Sequence, residues 1–213
     1  MKNQLIRYIE KNKVSTTEVA DCLGKTGCLQ GIKAVNRGHF CVGEVFYTYA
    51  SGGSSWKVHE DIQTIPEKAV LLIDTFDCGD RAPIGELVSK FVLLYQQAAA
   101  IVVNGSIRDA RNIIKENYSV WCRGFNPEGC FHTKDFPDIS EEIRREKVDR
   151  LNGAIAVCDD GGVVIIPKEF HTKEFLNSLE QIEEQEDIWF DCIDRKKWTT
   201  FETVCLKKYL CEG

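Results

Sequence analysis

The sequence lacks the patterns that mark several common classes of protein. It has no Gly-x-Gly-x-x-Gly, and its Gly-Lys-Thr-Gly segment is too short for a phosphate-binding loop, so dinucleotide and ATP binding have no support. It has no Gly-x-Ser-x-Gly, which argues against a serine hydrolase. The net charge of -6 and the lack of a long basic run argue against nucleic acid as the main ligand. No stretch has the apolar core of a signal peptide or the length of a membrane span, so we expect a cytoplasmic protein without membrane partners.

Cysteine and histidine are present without the spacings of metal sites. None of the ten cysteines forms a Cys-x-x-Cys pair, and several lie inside apolar runs. This favours reduced structural thiols over zinc ligands or a disulfide framework. The four histidines show no His-x-His or His-x-x-x-His spacing. His59 is the one that stands among helical acids, and we expect a structural or surface role for it.

What the sequence does contain is an alternation of strands and helices. The 213 residues fit one domain, or one domain with an appendage. Buried strands are predicted at 69–76 and 100–103, each followed by a segment of helical spacing, and a third strand follows at 119–125. This order is typical of parallel α/β organisation. Outside it, we predict the following elements: an amphipathic N-terminal helix, a second helix capped by Ser15 or Thr16, a strand at 39–51, a helix ending before Pro66, a hairpin at 153–167 and an acidic helix after 168.

Polar residues cluster where two of the predicted strands end. After the strand 69–76 come Asp77, Asp80 and Glu86 together with a helix start, and after the strand 100–103 come Arg108 and Asp109. Ligands of open α/β sheets bind beyond such strand ends. A guanidinium, carboxylates and free amides there would suit a metal-assisted site for a small oxo-acid. The residues alone favour a plainer interpretation, in which Arg108 and Asp109 are an ion pair that caps a helix.

Seven segments in order resemble one family. They are STTEVADCLGKTG, GIKAV, VGEVFYTY, GELVSKF, AAAIVVNGSIRDARNI, WCRGFNPEG and AVCDDGGVVIIP, spanning about residues 14–168. The family is that of regulator of ribonuclease E activity A (RraA-like) and the 4-hydroxy-4-methyl-2-oxoglutarate aldolases. The resemblance implies an α/β fold, a swivelling β/β/α domain like the phosphohistidine domain, as a homotrimer or a hexamer. We therefore expect such a domain over 1–168 and an acidic helical extension over 169–213, packed on the same domain or on a neighbouring subunit.

The resemblance also implies roles for individual residues. The family's aldolases are metal-dependent lyases that split a 2-oxo acid to release pyruvate, and they also decarboxylate oxaloacetate. Arg108 would bind the pyruvate carboxylate or keto oxygen, and Asp109 would hold Mg²⁺ or Mn²⁺ largely through water. The amides of Leu87 and Val88, after Gly85 and Glu86, would bind the substrate carboxylate. Glu86 would orient a water at the metal.

The chain departs from the family pattern at three places. One more residue than usual separates Glu86 from Arg108, and Asn112 stands where an acid is expected. The Gly/Val-rich strands expected between Pro127 and Gly153 are replaced by a charged segment that we expect to be partly helical. The alternative function is therefore a non-catalytic regulator that binds a protein partner such as a ribonuclease.

Overall fold

The computed structural model describes residues 1–211 and shows a seven-stranded sheet with helices on both faces. Its strands are β1 (Lys33–Ala34), β2 (Cys41–Ser51), β3 (Val70–Phe76), β4 (Ala100–Ile107), β5 (Val120–Phe125), β6 (Ile155–Asp159) and β7 (Gly162–Ile166). Its α-helices are α1 (Lys2–Asn12), α2 (Thr16–Cys22), α3 (Trp56–Asp61), α4 (Glu86–Lys90), α5 (Ala110–Lys115), α6 (Glu141–Leu151) and α7 (Lys173–Asp194). The predicted α/β class is confirmed.

The strand order is β1-β5-β4-β3-β2-β6-β7, and its middle is parallel. Strands β2 to β5 pair in parallel through β3 and β4, whereas β6, β7 and β1 add antiparallel edges. The parallel organisation and the hairpin predicted from the sequence are both confirmed. Parallel pairing brings the carboxyl ends of β3 and β4 to one side of the sheet, which is where the predicted site residues begin.

The apolar runs of the central strands are explained by burial on both faces. Leu71 and Ile73 of β3 pack into a cluster beneath α3, α4 and α5, while Val70 and Leu72 pack into a second cluster on the opposite face. A strand covered on both sides needs no polar alternation. A third cluster joins α1, α2 and α7 to the β6–β7 hairpin, and it includes Phe175 of the acidic helix.

Strand β4 is longer than predicted. The sequence predicts a strand over 100–103, whereas β4 runs to Ile107 with a register shift between Val103 and Ser106. Gly105 permits this continuation, because an added Cβ would lie 2.8 Å from the Thr75 side chain. As a result, Arg108 follows the strand directly and is placed by the sheet.

The helix after Gly85 also differs from an ideal α-helix. It begins as α4 and continues as a π-helical turn over Phe91–Tyr95. A π-turn shifts the angular positions of the side chains that follow it. Several apolar side chains of this helix face solvent, namely Leu87 at 80%, Leu94 at 54% and Tyr95 at 71% exposure.

The charged segment that departs from the family pattern forms α6, whose side chains reach the sheet. Lys147 Nζ lies 2.9 Å from Asp74 Oδ2, and the side chain of Asp74 is only 6% exposed. Asp74 also accepts hydrogen bonds from Tyr47 Oη at 3.2 Å and from Asn104 Nδ2 at 2.8 Å. The buried carboxylate is therefore paired and solvated by side chains, as such groups require.

Within residues 1–211 the ten cysteines are free thiols, and five of them are buried. Cys78, Cys122 and Cys130 belong to the cluster beneath α3 to α5, and Cys158 belongs to the cluster on the other face. These four fill the core as small side chains, and Cys78 Sγ and Cys122 Sγ also donate to the carbonyls of Phe76 at 3.3 Å and Gly124 at 3.4 Å. None of the helices in the described part of the chain is both long and apolar enough to cross a membrane.

Candidate active site at the junction of α4 and α5

The predicted site residues meet where the N-termini of α4 and α5 lie side by side. The backbone N–H of Arg108, directly after β4, donates to the carbonyl of Ile84 at 3.1 Å. This bond ties the end of β4 to the residues that open α4. Gly85 and Glu86 on one side, and Arg108 and Asp109 on the other, therefore come together, as the resemblance implied.

Two glycines make room for the Arg-Asp pair. A Cβ on Gly85 would lie 2.2 Å from Asp109 Oδ2 and 2.7 Å from Arg108 Cγ. A Cβ on Gly129 would lie 2.5 Å from Arg108 Nη1. A Cβ at either position would therefore force the neighbouring Asp109 or Arg108 side chain to move. The guanidinium therefore rests against the bare backbone of Gly129, and the carboxylate rests against that of Gly85.

Asp109 points toward α4 and does not cap its own helix. It occupies the N-cap position of α5 with a left-handed backbone, φ 58° and ψ 30°. In the part of the chain that the structure describes, its side chain accepts no hydrogen bond from α5. Its Oδ2 instead accepts from the backbone N–H of Glu86 at 3.1 Å. A left-handed backbone is uncommon for residues other than glycine, and aspartate is one of the side chains that adopt it most readily.

The ion pair of the plain interpretation is present and Asp109 is the N-cap residue of α5, but its carboxylate bonds to the Glu86 amide and does not cap α5. Arg108 Nε lies 3.8 Å from Asp109 Oδ2, and the two side chains are 40% and 44% exposed. At that distance and exposure the pair contributes little to stability. Both side chains stay accessible to a ligand from solvent.

Glu86 is held by the residue that stands where the family has an acid. Asn112 Nδ2 donates to Glu86 Oε2 at 2.6 Å, across the gap between α5 and α4. A carboxylate at position 112 would place a second negative charge at hydrogen-bond distance from Glu86. An amide instead donates a hydrogen bond and fixes the direction of the Glu86 carboxylate.

The start of α4 offers backbone donors beside these side chains. The first amides of a helix lack carbonyl partners inside that helix. The amide of Glu86 is used by Asp109, and those of Leu87 and Val88 come next in the same turn. Val88 is 7% exposed, which keeps its backbone next to the packed core. The arrangement suits a carboxylate, as the resemblance implied for these two amides.

The donor set fits a magnesium-type ion better than a zinc ion. Within residues 1–211 no group of three or more His, Cys, Asp and Glu side chains could enclose a metal. The junction instead supplies two carboxylates, those of Asp109 and Glu86. Mg²⁺ keeps several waters and takes one or two carboxylates, whereas structural zinc demands four protein ligands. A hydrated Mg²⁺ or Mn²⁺ is thus compatible with the residues present.

Two histidines that the sequence left out of the site lie close to it. The rings of His59, on α3, and His132, after β5, pack edge to face with their centroids 5.1 Å apart. Burial lowers the pKa of His59, and the nearby charges of His132 and Arg108 lower it further. The two histidines are 73 positions apart in the sequence, so no spacing rule reveals this contact, and no local motif marks either residue.

Asp80, in contrast, does not join Glu86. It lines a separate cavity of about 380 Å³ together with Asn104 and Arg123. Arg123 Nε donates to Asn104 Oδ1 at 2.7 Å there. Of Asp80 and Glu86, it is thus Glu86 that lies beside Arg108 and Asp109.

Comparison with known proteins gives the family. A protein of Halalkalibacterium halodurans named "Putative 4-hydroxy-4-methyl-2-oxoglutarate aldolase" is 28% identical over 156 residues, covering 73% of each chain. An uncharacterized protein from Pseudomonas syringae superposes with a TM-score of 0.73 at 21% identity, covering 96% of this chain and 94% of that one. RraAS2 of Streptomyces coelicolor, a member of the RNase ES inhibitor RraA protein family, superposes with a TM-score of 0.68 at 21% identity, covering 87% and 94%. The model of the RraA-like (Aldolase/RraA) family matches residues 16–165. The chain therefore belongs to the RraA-like family.

Proposed function

We propose that the protein is a metal-dependent lyase that cleaves a 2-oxo acid such as 4-hydroxy-4-methyl-2-oxoglutarate or oxaloacetate and releases pyruvate. The observation that carries the proposal is the junction of α4 and α5. There Arg108, Asp109 and Glu86 surround the first amides of a helix and stay open to solvent. The aldolase name of the relative from H. halodurans supports the same chemistry.

The substrate is bound through its 2-oxo acid end. The amides of Leu87 and Val88 donate to the carboxylate, and the guanidinium of Arg108 donates to the carboxylate or the keto oxygen. Cleavage of the carbon–carbon bond leaves negative charge on that keto oxygen as an enolate. Because Arg108 is already in place against Gly129, it stabilises this charge without rearranging.

Asp109 and Glu86 divide the remaining tasks. Asp109 would hold Mg²⁺ or Mn²⁺ largely through water, and the ion would add Lewis-acid stabilisation of the enolate. Glu86, held by Asn112, accepts a hydrogen bond from a water and orients it toward the 4-hydroxyl group. When an aldol substrate is cleaved, that water takes the hydroxyl proton as it gives one of its own protons to the Glu86 carboxylate.

A coupled lactate dehydrogenase assay tests the proposal. Oxaloacetate and 4-hydroxy-4-methyl-2-oxoglutarate are supplied with Mg²⁺ or with EDTA, and pyruvate is measured. We expect Arg108→Ala and Asp109→Ala each to reduce kcat/KM by roughly 10²- to 10³-fold, since each removes a group that stabilises developing charge. Arg145→Ala is the matched control, because Arg145 is a surface arginine of α6 paired with Glu141. Pyruvate release that is absent, or that survives both substitutions, would refute the lyase.

We propose that copies of this chain assemble as a homotrimer or hexamer, as the family resemblance implies. Leu87 follows Glu86 in α4 and Leu94 and Tyr95 lie in the π-turn after it, and a contact between copies would bury these exposed apolar side chains. Such a contact would also shield the open site from water. Light scattering measures the assembly, and Leu94→Glu is expected to weaken it.

A non-catalytic regulator is the second candidate, and the exposed apolar side chains of α4 and the π-turn that follows it are the observation that favours it. A protein partner such as a ribonuclease would then cover Leu87, Leu94 and Tyr95 in place of another copy. The RNase ES inhibitor family named for the Streptomyces relative supports this alternative. Inhibition of a ribonuclease without any pyruvate release would decide in its favour.

A further inference from the structure

The paired histidines beside Arg108 suggest a role that the site so far lacks. Cleavage leaves an enolate, and an enolate becomes pyruvate only when its C3 carbon receives a proton. Arg108, Asp109 and the helix amides stabilise charge, and none of them is suited to protonate carbon at neutral pH. An imidazole is, because its ordinary pKa lies near neutrality.

The position of His132 is well determined by its neighbours. Ser55, which is fully buried, lies with its Oγ 3.1 Å from His132 Nδ1. The backbone around the histidine is tied down as well, since Phe131 N donates to the Gly53 carbonyl at 2.8 Å and Ser55 N donates to the Phe131 carbonyl at 2.9 Å. Nδ1 of His132 faces Ser55, so Nε2 is the ring nitrogen that can exchange protons with other partners.

The same segment connects the histidines to Arg108. Three residues before His132, Gly129 lies directly against the Arg108 guanidinium. Next to it, Cys130 N donates to the Ala82 carbonyl at 2.9 Å, which joins this segment to the loop that leads into α4. The segment 129–132 therefore contacts the guanidinium at one end and His59 at the other.

His59 packs against the ring of His132, and the charge of the Arg108 guanidinium acts on it. It is half-buried on α3, and its ring meets that of His132 at an interplanar angle of 89°. Burial comes first among the causes that lower its pKa, followed by the charges of His132 and Arg108. A protonated His59 is accordingly a stronger acid than an ordinary imidazolium. The ring of His132 is exposed and can exchange protons with water.

We propose that His59 is the catalytic acid that protonates C3 of the pyruvate enolate, and that His132 returns a proton to it from solvent. The inference rests on the proposed lyase function. When the bond from C3 breaks, its electron pair stays on the enolate. The N–H bond of the His59 imidazolium then breaks, its proton forms the new C–H bond, and the electron pair remains on nitrogen. A proton from water, passed through His132, restores the imidazolium.

Exchange of the pyruvate methyl protons in D₂O tests this step directly. Pyruvate and Mg²⁺ are incubated with the protein, and loss of the methyl signal is followed by proton NMR. We expect His59→Ala to slow both this exchange and kcat by at least about 10²-fold, the usual contribution of a general acid, with KM unchanged. Added imidazole is expected to restore exchange to His59→Ala, which loss of a merely structural residue would not allow. His132→Asn is expected to slow exchange less.

The control and the adverse outcomes are distinct. His39→Asn is the matched control, because the His39 ring packs against Trp121 and its Nε2 lies 3.1 Å from Asn117 Oδ1. If the unmodified protein neither releases pyruvate nor exchanges its methyl protons, the lyase function fails and this inference fails with it. If the unmodified protein does both and folded His59→Ala keeps the same rates, the lyase stands and the role of His59 is refuted. A slow variant that imidazole does not restore also refutes that role.

Discussion

Replacing Gly85 with alanine tests whether the exact placement of Asp109 matters for activity. The new Cβ would lie 2.2 Å from Asp109 Oδ2, whereas ordinary contacts of a Cβ begin near 3.4 Å. The carboxylate must therefore move by about 1.2 Å. That shift removes the 3.1 Å hydrogen bond from the Glu86 amide, which is what directs Asp109 toward α4.

The two consequences of the substitution differ in size. Forcing extra volume into a packed place costs about 1–3 kcal/mol of the free energy of unfolding. The lower end applies because Asp109 is 44% exposed and can turn into solvent. Alanine also stiffens the unfolded chain, which offsets about 0.4–1 kcal/mol. Stability should thus change little. A displacement of about 1 Å at a reacting centre, in contrast, costs on the order of 10²-fold in rate.

The assay combines kinetics with unfolding. Pyruvate release from oxaloacetate with Mg²⁺ gives kcat/KM, and urea denaturation gives the free energy of unfolding. Gly124→Ala is the matched control, because its new Cβ would meet its nearest neighbour, Ser106 Oγ, at 4.0 Å. If Gly85→Ala keeps the kcat/KM of the unmodified protein, the position of Asp109 is not important and the proposed site geometry is wrong.

Further predictions concern neighbouring residues. Asparagine tolerates the φ of 58° at position 109, so Asp109→Asn should lose activation by Mg²⁺ and keep its stability in urea. Alanine tolerates that φ less well, so the free energy of unfolding of Asp109→Ala should be lower by about 1–2 kcal/mol. Asn112→Ala frees Glu86 and should lower kcat in the pyruvate assay with KM unchanged. Lys147→Met leaves Asp74 buried and unpaired, at a cost of about 3–5 kcal/mol by urea denaturation, and adding Asp74→Asn should recover most of it. Burial lowers the pKa of His59 in the folded state, so around and below pH 6.5 the unfolded chain binds more protons than the folded one. The free energy of unfolding should therefore fall as the pH drops below 6.5, and it should fall less in His59→Asn.

The central fold could be predicted from the sequence because its signals are local. Apolar runs of strand length marked β3 and β4, the Asp-Asp-Gly-Gly turn marked the β6–β7 hairpin, and Ser15 caps α2 with a capping box. The length of β4 could not be predicted in this way. Asn104 and Gly105 are turn residues by composition, and they stay in the strand because neighbouring strands and Thr75 hold them there.

The site was predictable as far as its residues lie close in sequence. Arg108 and Asp109 follow one strand and Glu86 follows its neighbour, so parallel pairing was enough to bring them together. The contact between the two histidines could not be predicted from the spacing of residues in the sequence. His59 and His132 meet because α3 covers the sheet next to the segment after β5, and that contact depends on the packing of the whole layer.

Asn112 is the residue whose interpretation differs most between the sequence and the structure. In the sequence it counts against metal chemistry, because an amide adds no charge where an acid was expected. In the structure its Nδ2 lies 2.6 Å from Glu86 Oε2 and fixes that carboxylate. An acid there would either repel Glu86 or share a proton with it, and in both cases Glu86 would orient water less well. In the proposed mechanism Asp109 would hold the metal, Glu86 would orient water and the histidines would supply protons, and the amide at 112 is compatible with that division.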